Sequence, residues 1–141
     1  MDDENFMKQA LKEAEKALHE DEVPIGAIIV MQKKIIGRGY NQVEKLNDAT
    51  AHAEIIALTA AFNYTGSKYL PDATIYVTIE PCAMCCGALY WSKIGRLVYG
   101  ADDPKHGGLA KVSLHPKTTI LGNIYAAECI EMMQTFFRKK R

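Results

Sequence analysis

His52, Glu54, Cys82 and Cys85 are the residues whose types and spacing can do chemistry. They stand in His52-Ala53-Glu54 and in Pro81-Cys82-Ala83-Met84-Cys85. One imidazole and two sulfurs form a ligand set suited to zinc. Three protein ligands leave a tetrahedral zinc with one position open, the mark of a catalytic rather than a structural site. Glu54 is two residues from the first ligand and can move protons to and from a water at that position. The pattern reads as a hydrolytic zinc enzyme. His52, Cys82 and Cys85 are its metal ligands, Glu54 is its proton carrier, and each subunit holds one Zn2+.

Each part alone is ambiguous. A Cys-x-x-Cys pair also serves redox chemistry. His52 can be an ordinary histidine, and Glu54 a carboxylate drawn to a helix start by the dipole. A closed structural zinc would need a fourth ligand, for which Cys86 is the obvious candidate. Neighbouring helix positions point about 100° apart, so Cys85 and Cys86 are poorly placed to hold one ion. Cys86 reads as a small buried residue, and Cys129 as core.

The elements that must position these groups can be read from periodicity. Phe6, Met7, Ala10, Leu11, Ala14, Ala17 and Leu18 fall at helical spacing and predict an amphipathic helix over Glu4 to His19. Ile25 to Val30 and Ile35 to Tyr40 are β-rich runs around Gln32-Lys33-Lys34, a hairpin pattern. A polar loop runs from Asn41 to Thr50, then a helix from about His52 to Phe62, broken at Gly66. Ala73 to Thr78 reads as a central strand. Pro81 sits where a helix start tolerates proline, ahead of a helix over Cys82 to Ser92. Arg96 to Gly100 is a fourth strand and Thr118 to Leu121 a fifth. Asp102 to His115 is a loop region with room for a short helical piece. The last helix has Ala126, Cys129, Ile130, Met133, Phe136 and Phe137 as its expected buried stripe.

This order predicts a three-layer α/β/α fold around a central mixed five-stranded sheet. Each ligand is expected on the first turn of its helix. If the two helices lie side by side, their N-termini converge and the three ligands can meet.

The length suits a single domain over residues 1–141. There is no internal repeat, and no apolar run approaches the ~20 residues that span a bilayer. Met1-Asp2-Asp3-Glu4-Asn5 is acidic and polar, unlike a secretory leader. Three of the four cysteines crowd into one stretch, which suits a metal in a reducing compartment; a cytoplasmic location is expected. Lys plus Arg and Asp plus Glu both number 17, unlike the basic balance of proteins that hold nucleic acid by bulk electrostatics. The ending Arg138-Lys139-Lys140-Arg141 is open to two readings, a solvated helix end suited to the dipole or a phosphate-contacting tail. Ala88-Leu89-Tyr90-Trp91 and Met132-Met133 can serve the core or an interface.

His52-Ala53-Glu54 with Pro81-Cys82-Ala83-Met84-Cys85 resembles the known signature of the zinc-dependent cytidine/deoxycytidylate deaminase superfamily. The resemblance extends over nearly the whole chain to the bacterial tRNA-specific adenosine deaminases. It is carried by Glu22-Val23-Pro24-Ile25-Gly26-Ala27, Asn41, Thr50-Ala51-His52-Ala53-Glu54-Ile55, Tyr76 to Cys82 and Phe136-Phe137-Arg138. It implies a cytidine deaminase-like fold, a homodimer, zinc on His52, Cys82 and Cys85, and Glu54 as proton shuttle. It further implies that Asn41 contacts the target nucleoside and that Asp103 lies on an RNA-contacting loop. The partner would be a tRNA anticodon loop, whose wobble adenosine becomes inosine. A base inside a duplex cannot reach such a pocket, so the target must be looped, single-stranded or free.

Some positions depart from the pattern. The 107–125 region is shorter than expected, Asp102 is acidic where relatives can be basic, and Ala88-Leu89-Tyr90-Trp91 resembles guanine deaminases of the same superfamily. The alternative is therefore a deaminase of a free nucleobase or nucleoside, of guanine or cytosine type. A zinc-stabilised binding module is a third reading, but it would have no need of Glu54.

Overall fold

The structure, a computed structural model, describes residues 2–140; Met1 and the last residue of the basic ending, Arg141, lie outside them. Nine elements follow in the order α1 (Asp3–His19), β1 (Gly26–Met31), β2 (Lys34–Tyr40), α2 (Ala53–Thr65), β3 (Thr74–Ile79), α3 (Ala83–Ser92), β4 (Arg96–Ala101), β5 (Thr119–Leu121) and α4 (Ala126–Lys139). The strands form one sheet in the order β2-β1-β3-β4-β5. β1 runs antiparallel to β2 and β3, whereas β3, β4 and β5 are parallel. The sheet is mixed, as the sequence led one to expect.

Alternation along the strands explains the layers. In β1, Ala27 and Ile29 join Ile75, Val77 and Leu97 beneath α2 and α3, which contribute Ala53, Ala57, Leu58 and Leu89. Ile28 and Val30 face the other way, with Tyr76 and Val98, and take Phe6, Met7 and Ala10 of α1. Successive strand side chains point to opposite faces, so a strand apolar at every position is covered on both sides. α4 lies with α1 and packs Cys129 on Ile79 and Ala101.

Local chemistry sets the boundaries. Asp2 caps α1 by accepting from the Asn5 N–H at 2.9 Å. The β1–β2 turn is Gln32-Lys33, both at positive φ, the backbone that a tight two-residue hairpin turn requires. Gly39 lets α2 approach the sheet: a Cβ there would stand 2.4 Å from the Ala53 carbonyl.

Two expectations need correction. The last helix does not bury its whole apolar stripe. Cys129 and Phe136 are buried, but Ile130 is 43% and Phe137 47% exposed. Periodicity says which residues share a face, and α4 covers the end of the sheet only with part of that face. The region from Asp102 to His115 also holds turns and no helical piece.

Candidate active site

Two helix starts meet at the carboxyl end of β3. β3 ends at Ile79 and the chain passes through Glu80-Pro81-Cys82 into α3; the loop after β2 ends at Ala51-His52 and enters α2. His52 and Cys82 stand one residue outside their helices, at the N-cap, rather than inside the first turn. Both are extended there, with ψ of 155° and 175°, and neither side chain caps its own helix. N-cap and third-position side chains are neighbours in space, as the capping box shows. At α3 that pair is Cys82 and Cys85.

The three ligand atoms lie within 4.8 Å of one another. His52 Nδ1 is 3.6 Å from Cys82 Sγ and 3.6 Å from Cys85 Sγ. Tetrahedral zinc, with Zn–S about 2.3 Å and Zn–N about 2.0–2.1 Å, sets nitrogen and sulfur about 3.6 Å apart. The donor set thus fits zinc in both kind and spacing. The hydrogen bond between the sulfurs, joined by one from His52, pulls the Cys82 thiol down to about 3 and pushes that of Cys85 up. The His52 ring is raised, first by Cys82 and in smaller part by the Ala49 carbonyl. A carbonyl partner of that kind is what orients a metal-binding imidazole. Cys86 stands apart from the group, buried and aimed at the Pro81 carbonyl at 3.6 Å.

Glu54 is only 4% exposed, and burial pushes its carboxyl up to about 7. A carboxyl tuned to neutrality can both accept and release a proton at working pH. It shares the wall of a cavity of about 700 Å³ with His52, Cys82, Asn41 and Asp103. Asn41 is buried, and its Oδ1 has no hydrogen-bond partner among the described residues. A buried acceptor left unmade costs about 1–3 kcal/mol, so it is ready for a donor on a ligand. Asp103 is more occupied: its Oδ1 accepts from the Lys105 and His106 N–H groups at 3.2 and 3.0 Å, closing a turn on the cavity rim.

Sequence reasoning overlooked two carboxylates in the same wall. Glu22 accepts from the Glu44 and Lys45 N–H groups. Glu80 accepts from those of Asp103 and Leu109 at 3.1 and 3.2 Å. Both lie within stretches that carry the family resemblance, but nothing in composition or periodicity marks them. Phe136, Phe137, Met133 and His106 also line the wall, and a second cavity of about 780 Å³ continues past His106 and Phe137 toward Lys105 and Arg138.

Fold and site together define an α/β protein with a His/Cys/Cys group that could hold a metal ion beside a buried carboxylate. The family model of the MafB19-like deaminases matches residues 1–141. A tRNA-specific adenosine deaminase from Buchnera aphidicola subsp. Schizaphis graminum is 47% identical over 145 residues, covering 99% of this chain and 96% of the relative. A solved structure from studies of A-to-I editing by tRNA:A34 deaminases at the wobble position of transfer RNA is 40% identical. Its TM-score is 0.85, and the match covers 91% of this chain and 98% of that one. The guanine deaminase of Bacillus subtilis is 35% identical with a TM-score of 0.70, covering 82% of this chain and 72% of that one. The chain belongs to the MafB19-like deaminases and to the family of the bacterial tRNA-specific adenosine deaminases.

Proposed function

We propose that this protein hydrolyses the wobble adenosine of a tRNA anticodon loop to inosine and ammonia. Residues 1–141 act as one domain. His52, Cys82 and Cys85 would hold one zinc per subunit. The observation that carries the reading is a buried Glu54 in the same cavity wall as a ligand set with zinc spacing. When bound, zinc supplies Lewis acidity that brings the pKa of a water down toward ~7. Glu54 takes a proton from the attacking water and delivers it to N1 of the adenine ring. As the water oxygen bonds to C6, Glu54 is left unprotonated; it then takes the remaining hydroxyl proton and hands it to the 6-amino group as C6=O forms and the C6–N bond breaks, so that water and adenosine become inosine and ammonia. Asn41 Oδ1 accepts from the nucleoside and fixes its orientation. The Asp103 turn shapes the rim over which the flanking RNA passes.

The wobble assignment draws on the identity to tRNA-specific relatives and on the cationic side chains Lys105 and Arg138 beside the second cavity. A second copy of the chain is the expected partner. On α3, Met84 and Trp91 are exposed, Trp91 by 73%, and between them a Cβ on Gly87 would meet nothing. Among the described residues no helix is long and apolar enough to cross a membrane. The thiolates that zinc requires are best kept in a reducing compartment, which supports the cytoplasm.

One observation favours a second reading, a free-base deaminase: the 35% identity to a guanine deaminase. The zinc-loaded protein should therefore be incubated with an adenosine-34 anticodon stem-loop and, separately, with guanine, cytosine, adenosine and cytidine. Inosine in the RNA alone is the expected result. Ammonia released from a free base alone would replace the tRNA reading with the second.

A further inference from the structure

Glu22 takes no part in the proton transfers above, yet it is 1% exposed and lies in the cavity wall. Its backbone is locked to the end of α1. Asp21 turns the chain at φ 60°, and the Glu22 N–H donates to the Ala17 carbonyl at 2.9 Å. From there the carboxylate reaches a loop more than twenty residues away. The Glu44 N–H donates to Oε1 at 3.0 Å and the Lys45 N–H to Oε2 at 2.7 Å.

Those two amides need this carboxylate. The 42–48 loop makes a single turn, closed by the Leu46 N–H on the Gln42 carbonyl at 2.9 Å and the Asp48 N–H on the Val43 carbonyl at 3.0 Å. The opening amides of such a turn have no carbonyl behind them. Among the described residues, the Glu44 and Lys45 N–H groups have no other acceptor. A buried carboxylate is itself costly unless hydrogen-bonded, and charge-assisted bonds are the strong ones. Backbone holds the stem of the loop, with the Asn41 N–H on the Ile25 carbonyl at 3.1 Å and the Gln42 N–H on the Ala51 carbonyl at 3.0 Å, whereas further out Lys45 reaches Glu20 only in an exposed ion pair that holds little. The loop carries cavity wall: Asn41 precedes it, and Val43 and Glu44 lie on it.

We propose that Glu22 is a positioning residue whose carboxylate sets the 42–48 loop, and with it the Val43 and Glu44 part of the cavity wall beside Asn41, against the bound nucleoside. It then governs substrate affinity and leaves the chemical step alone. This rests on the deaminase reading above.

Glu22→Gln keeps the volume and one acceptor but turns an NH2 toward the other amide. On the adenosine-34 stem-loop, KM should rise about 10-fold, the worth of one lost charge-assisted hydrogen bond. Zinc content should stay at the wild-type level and kcat within about threefold. Glu22→Ala should raise KM about 100-fold, since it removes both acceptors. A fall in kcat with KM unchanged, or no change in either, overturns the proposal. Amide exchange read by NMR gives a second measurement that needs no substrate and only the milder variant. The Glu44 and Lys45 amides should be protected in the wild type and exchange about 10-fold faster in Glu22→Gln. Equal exchange in the two proteins also overturns it. If the wild type ignores the stem-loop, the tRNA reading fails on its own, and the KM comparison is made with the free base it does accept.

Discussion

The floor and the rim of the cavity are held in place by different means. At the floor, His52, Cys82 and Cys85 hang on two helix starts, and the sheet beneath fixes those starts through close packing such as Gly39 against Ala53. The rim is irregular chain. Its two loops, 42–48 and 103–109, are each tied down by one carboxylate that accepts two backbone amides, Glu22 for the first and Glu80 for the second. Regular structure secures the proposed metal ligands, whereas the loops of the rim depend on a buried carboxylate in addition to their own backbone bonds. Metal binding and substrate affinity should therefore fail separately.

The largest effect is expected at the floor. Cys82→Ala removes one of the three proposed ligands, so zinc per chain should fall from the expected one toward none and turnover should vanish with it. Metal analysis beside an inosine assay checks this; zinc content unchanged would break the ligand set. Glu54→Ala should keep the zinc and lose turnover by ~10²–10⁴-fold, the usual worth of a general acid–base group. Normal turnover in that variant would remove Glu54 from the mechanism.

A smaller effect should appear at the rim. A Cβ on Gly107 would stand 2.4 Å from the Glu80 carboxylate, which is the movable end of a side chain. Gly107→Ala should push it off the Asp103 and Leu109 amides and raise KM by up to about 10-fold, with zinc and kcat kept. A loss of zinc there would mean that rim and floor are one unit. That outcome has a physical route, since the Gly108 N–H donates to the Pro81 carbonyl beside Cys82.

The smallest effect belongs away from both. Arg96 grips both Asp3 oxygens at 2.7 Å, and the Tyr76 hydroxyl donates to the same carboxylate, tying α1 to the sheet. Asp3→Asn should cost about 1 kcal/mol after solvent screening, a Tm drop of a few degrees at pH 7. KM should stay fixed, so a stability loss of this size serves as the control for the rim variants. Hydrogen bonding to Arg96 holds the Asp3 carboxyl below its usual range. A lowered folded value stabilises the protein above the unfolded value of ~3.9 and is lost as pH falls through the folded one. The gap in Tm between the two proteins should thus be full at pH 7 and close below about pH 4.

How far each part could be read ahead of the coordinates depended on how local its cause is. The hairpin around Gln32-Lys33-Lys34, the helix starts near His52 and Cys82, and the exclusion of Cys86 all follow from neighbours in sequence, and the structure narrows the turn to Gln32-Lys33. The N-cap placement of both ligands was not legible, because a one-residue shift at a helix start leaves periodicity unchanged. Nor was the exposure of Ile130 and Phe137. An apolar helix face looks the same whether the sheet covers it or a cavity opens beside it. Asp103 lines the cavity and its Oδ1 closes a turn, an arrangement that only the backbone around it reveals.

By itself, the sequence determined the order of elements, the ligand types and the carboxylate beside them. Hydrophobic period, caps and turn residues act over a few positions and are written where they act. Tertiary structure alone decided that helix starts thirty residues apart meet at zinc spacing and that Glu54 is buried beside them. It also decided that Glu22 and Glu80 find amides in loops far along the chain. Desolvation and the satisfaction of stray backbone amides depend on what the chain is packed against, and no local pattern records that.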